Sequence, residues 1–72
     1  MQVVEYKDGG IRSVTFKLEH KSKTYTVIRF YKLSTNTLYA EDISDENGKE
    51  VKDQDLLDQI QLAIKLYLQD EH

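Results

Sequence analysis

Apolar and polar positions alternate with a period of two through much of residues 3–44, then recur every three to four residues from Leu56 onward. The first period belongs to strands with one buried face, the second to an amphipathic helix. VVEY at 3–6 is a short β-prone run, and Asp8-Gly9-Gly10 behind it reads as a hairpin turn, because glycine accepts the positive φ that tight turns demand. IRSVTFKLE at 11–19 places Val14, Phe16 and Leu18 on one face and Ser13, Thr15, Lys17 and Glu19 on the other. A three-residue loop would then pair Val4 with Val14 and Tyr6 with Arg12, keeping the apolar residues of both strands together.

The polar stretch 20–23 separates this strand from TYTVIRFYKL at 24–33, which is rich in β-branched and aromatic residues. A second polar turn spans 34–37, and LYAEDIS at 38–44 is a fourth, more weakly patterned strand. Asn47-Gly48 predicts a type I′ turn, which would make 49–52 a short fifth strand, with a plain loop over 45–52 as the alternative. Asp53 has the position of a helix N-cap, and Asp55 lies in the first turn, where the helix dipole favours negative charge. At about 100° per residue, Leu56, Leu57, Ile60, Ala63, Ile64, Tyr67 and Leu68 fall within an arc about 140° wide, the side that packs on a sheet. Leu62 and Leu66 lie nearly opposite that arc, one turn apart, as partly exposed leucines or as a contact stripe for a second subunit. The predicted fold is α+β, an antiparallel meander of four to five strands with one C-terminal α-helix packed on one face, in a single small domain over 1–72.

Which side of the third strand faces the helix depends on the parity of the turn before it. With an odd loop, Thr26, Ile28 and Phe30 join Val14, Phe16 and Leu18, and the opposite face displays Lys17, Tyr25, Val27, Arg29 and Tyr31. With an even loop, Tyr25, Val27 and Tyr31 enter the core and Arg29 sits at its rim. A two-residue turn at Lys21-Ser22 lacks the Gly or Asn that type I′ turns prefer, which favours the odd register.

Composition limits what such a domain does. A 72-residue chain buries only about 60% of its unfolded surface, so its core is marginal. Cysteine is absent, which excludes disulfides and thiolate metal sites and leaves oligomerisation as reinforcement. Neither a signal-peptide-like start nor an apolar run of membrane-spanning length occurs, so the chain reads as soluble, by default cytoplasmic, with no membrane partner. The net charge of −3 is unevenly spread. Residues 1–40 carry seven Lys/Arg against three Asp/Glu, a balance of +4, and residues 41–72 carry three against ten, a balance of −7.

Candidate chemistry is sparse. The internal histidine, His20, sits in a turn among basic residues, and Ser13, Ser22, Ser34 and Ser44 lie on strands or turns, so no catalytic residue is expected. DISDENGKE at 42–50 invites comparison with a calcium loop. Placing Gly48 at position 6 puts Ile43 at position 1 and Gln54 at position 12, where carboxylates are required, so no metal is expected. Phosphate-cradling glycine motifs are absent, and no cofactor is implied. The expectation is a small non-enzymatic protein-binding or regulatory module working as a homodimer, with Tyr25, Arg29, Tyr31, Leu62 and Leu66 as its interface. The alternative is a sheet that binds single-stranded nucleic acid through Lys17, Tyr25, Arg29 and Tyr31. A third reading makes the acidic half a mimic of nucleic acid that blocks a DNA-binding protein.

Overall fold

Four antiparallel strands in the order β1-β2-β3-β4 form a meander, and one C-terminal helix packs across it, giving the expected α+β architecture. The computed structural model describes residues 1–8 and 12–70. The strands are β1 Gln2–Asp8, β2 Ser13–His20, β3 Lys23–Tyr31 and β4 Leu38–Ser44, and the helix α1 is Gln54–Asp70.

The turn between β2 and β3 has even parity, which overturns the odd register. His20 pairs directly with Lys23, leaving a two-residue turn in which Lys21 (φ 51°) and Ser22 (φ 66°) both take the left-handed conformation. That geometry costs roughly 1–2 kcal/mol per non-glycine residue. The reason for accepting it lies outside β3, whose two faces are almost equally apolar. In the observed register Val27 faces Ile43 on β4. Turning β3 over while keeping that pairing would bring Ile28 inward and with it Asp42, which stands directly opposite. A carboxylate driven under the helix without a partner costs more than two strained turn residues. Tyr25 and Val27 therefore lie beside Leu18 and Phe16 in the core, and Ile28 and Phe30, half-buried, lie on the face away from the helix.

β1 and β2 also pair differently from expectation. The pairs Val4–Val14 and Tyr6–Arg12 do not form, and instead Tyr6 lies opposite Phe16 and Asp8 opposite Val14. From Glu5 onward the strand has slid by an even number of residues, so Tyr6 still faces inward. The slide places the Tyr6 ring 5.2 Å from Phe16 and 5.9 Å from Tyr67 of the helix, an aromatic cluster worth about 0.5–1.5 kcal/mol per pair beyond burial. A bulge between Val3 and Glu5 turns Val4 outward. Gly9 and Gly10 of the expected turn lie outside the described residues.

The fifth strand reduces to a single bridge between Ser44 and Glu50, followed by a bond from the Val51 N–H to the Ile43 carbonyl. The intervening turn is built on Asp45 rather than on a type I′ Asn-Gly pair. The Gly48 N–H donates to the Asp45 carbonyl at 3.0 Å, and the Asp45 carboxylate accepts from the N–H groups of Asn47 and Lys49. Of Asn47 and Gly48, only Gly48 has positive φ, 80°. The turn delivers Val51 into the core.

Asp53 caps α1 as expected, accepting the Asp55 N–H at 3.0 Å and that of Leu56 at 3.4 Å. The predicted arc faces the sheet: Ile60 and Ile64 are fully buried, with Leu56, Leu57, Ala63, Tyr67 and Leu68 packed around them. Each buried isoleucine contributes roughly 1.5–3 kcal/mol by leaving water. Among the described residues no helix is long and apolar enough to cross a membrane.

Candidate functional site

The inward face of the sheet continues beyond the apolar core to a pair of opposite charges. Row by row, Tyr6, Phe16, Val27 and Ile43 align across the four strands, and the next row holds Val14, Arg29 and Glu41. Arg29 projects from β3 toward the helix rather than into solvent. Its Nε donates to Glu41 Oε2 at 2.7 Å and its Nη2 to Gln61 Oε1 at 2.7 Å. Gln61 Nε2 in turn donates to Glu41 Oε1 at 2.6 Å, which closes a ring of three side chains from β3, β4 and α1. The guanidinium carbon lies 5.6 Å from the centroid of the Phe16 ring. With side-chain exposures of 14% for Arg29 and 22% for Glu41, this is a largely desolvated ion pair whose partners satisfy one another. It joins helix to sheet and leaves little of the guanidinium for an outside ligand.

The helix face turned away from the sheet is different. Leu62 and Leu66 are 56% and 50% exposed, as their place opposite the packing arc requires. With Met1, Gln59 and Ala63 they line a surface depression of about 240 Å³. Leu62 is the midpoint of α1, eight residues from either end. Asp58 and Lys65, both exposed, lie on the same side of the leucine stripe, one heptad apart.

The remaining expected site residues scatter. Tyr25 is 7% exposed and belongs to the core. Lys17 points from the opposite side of the sheet, where its Nζ lies 3.3 Å from Glu5. The nucleic-acid face of Lys17, Tyr25, Arg29 and Tyr31 is therefore divided between two sides of the sheet, and the interface set is divided between core, rim and helix. Tyr31, at the end of β3, is half-buried.

A second group lies at the end of the sheet next to Tyr31, and of its members the sequence reading did not single out Arg12. Arg12, Tyr31, Lys32, Leu33, Ser34 and Tyr39 line an open depression of about 540 Å³. A bulge creates it: Tyr31 pairs with Leu38 and Phe30 with Ala40, so Tyr39 has no residue opposite. Nothing in the alternation of 38–44 signals that bulge. Gln61 was also missed, although a glutamine at the margin of an apolar arc, with an arginine in the facing strand, is the pattern that would find it.

No protein family, curated protein or solved structure matches the chain.

Proposed function

We propose that the chain is a non-enzymatic protein-binding module that works as a homodimer, two copies packing antiparallel along α1. The observation that carries this reading is the exposed pair Leu62 and Leu66, centred on the helix and flanked by complementary charges. A two-fold axis at Leu62 sets that leucine against its own copy and overlaps the two 17-residue helices end to end. The same axis brings Asp58 of each copy beside Lys65 of the other, so both ion pairs form together. A symmetric contact has to be self-complementary, and the heptad spacing of Asp58 and Lys65 makes this stripe so.

The leucines drive the association. An exposed ion pair contributes at most about 1 kcal/mol, so Asp58 and Lys65 set orientation more than strength. Pairing on so narrow a stripe is weak, and it is favoured at high protein concentration.

Light scattering at high concentration should give a mass near twice 8.5 kDa. Leu62→Asp with Leu66→Asp should give a monomer with an unchanged far-ultraviolet dichroism spectrum. Since the chain has no cysteine, Leu62→Cys supplies a unique thiol, and its oxidation should give a disulfide-linked dimer that retains the fold. A wild type that remains at 8.5 kDa, or a double aspartate variant of unchanged mass, overturns the reading.

A further inference from the structure

The corner at Arg12, Tyr31, Lys32 and Tyr39 is independent of the helix stripe and has a different chemistry. Arg12 is held in place from both directions. Its backbone takes φ 52°, a conformation a non-glycine residue adopts only under constraint, and its carbonyl accepts the Tyr31 N–H at 2.9 Å. Its Nη1 donates to Asn36 Oδ1 at 3.0 Å, and Asn36 is itself at φ 56°. Asn36 is fixed by the loop between β3 and β4, where its N–H meets the Lys32 carbonyl at 2.7 Å and the Lys32 N–H meets the Thr37 carbonyl at 2.9 Å. Two strained residues from different loops thus meet and hold a guanidinium beside two tyrosines.

Of these, Tyr39 and its apolar neighbour Leu33 are accessible, while Tyr31 is half-buried. Tyr39 is 61% exposed and Leu33 is 71% exposed. The Tyr39 ring is supported by Phe30 at a centroid distance of 6.4 Å, which fixes one side of it and leaves the rest to solvent. The described residues lining the depression include Arg12 and Lys32 and no carboxylate. A chain of net charge −3 therefore carries a cationic, aromatic corner. Arg29 is neutralised by Glu41, whereas Arg12 has a neutral amide as partner.

We infer that this corner binds a short stretch of single-stranded nucleic acid, with a base against Tyr39 and flanking phosphates at Arg12 and Lys32. Stacking on an aromatic ring suits any base, and the two cations track the backbone. A protein ligand is the weaker fit, because the shared requirement of flat rings and closely spaced anions is met repeatedly along a nucleic-acid strand. The acidic helix repels the rest of a polyanion, so the contact is confined to the corner and its salt dependence is shallow. Two phosphates give a slope of log K against log salt of about −1.4.

The test is a titration of the full chain with a ten-nucleotide oligothymidylate at low salt, followed by amide chemical shifts. Shifts should concentrate at residues 31–39 and at Arg12. Tyr39→Ala should weaken binding about tenfold or more, and Lys32→Glu should weaken it and flatten the salt slope. Tyr39→Leu keeps apolar support for Phe30 and removes the stacking ring, so its loss of affinity cannot be assigned to misfolding. Lys17→Glu, outside the depression and already paired with Glu5, should bind as the wild type does. The inference is overturned by an absence of shifts, by shifts centred elsewhere, or by a Tyr39→Leu variant of unchanged affinity. An acidic tyrosine-containing peptide that binds the corner more tightly than the oligonucleotide also overturns it, and assigns the corner to a protein.

Discussion

Arg12 and Arg29 stand in the same meander, yet their surroundings differ in kind. Arg29 is folded inward over Phe16 and closed off by Glu41 and Gln61, side chains from two other elements. Arg12 lies at the sheet's end, exposed, with one neutral side chain to hold it. The first arginine has its charge balanced by the protein and serves to join helix to sheet. The second keeps its charge available while its position is fixed by backbone constraint. A cation beside aromatic residues is therefore not by itself a binding feature. What matters is whether the fold has already supplied the anion.

The largest expected effect comes from breaking the closed site. Glu41→Ala leaves the Arg29 guanidinium largely desolvated with Gln61 alone, and should cost about 1–3 kcal/mol in urea unfolding. Replacing the pair together, Arg29→Met with Glu41→Leu, should come within about 1 kcal/mol of the wild type, since an apolar pair of similar volume avoids the desolvation penalty. Equal losses in the single and double variants would mean that the ion pair is not coupled as described.

A smaller effect probes the turn that sends Arg29 inward. Lys21→Asn with Ser22→Gly keeps the two-residue turn and relieves its left-handed strain. A gain of about 1 kcal/mol is expected, read as a higher urea midpoint at constant slope. A loss would show that Lys21 or Ser22 makes contacts that matter more than the strain.

The smallest effect on stability belongs to Arg12. Arg12→Gly removes an exposed hydrogen bond but relieves the strain at φ 52°, so the two changes offset to within about 1 kcal/mol. Its effect on the oligothymidylate titration should nevertheless be large. A variant that unfolds would place Arg12 with Arg29 as a structural residue and dissolve the contrast.

The helix was the most legible part of the chain. Its inward arc from Leu56 to Leu68, its Asp53 cap and the outward position of Leu62 and Leu66 all follow from local periodicity and local hydrogen bonding. The strands were legible as strands, but their registers were not. β3 has Tyr25 and Val27 on one face and Ile28 and Phe30 on the other, so its own pattern favours neither. The fate of Tyr25 and Arg29 as surface or core residues rested on that choice. β1 has few apolar positions, and its pairing was settled by where Tyr6 meets Phe16 and Tyr67.

By itself, then, the sequence determined the four main strands and the helix, their order, the helix's two faces and the charge imbalance between the halves, because these depend on neighbours a few residues apart. Only the tertiary structure decided which face of β3 is covered, that Glu41 and Gln61 enclose Arg29, and that Arg12 and Tyr39 meet at one corner. Each of those outcomes weighs contributions from separate strands and the helix, such as the cost of bringing Asp42 inward against the strain at Lys21 and Ser22. No single segment of the chain contains both sides of that balance.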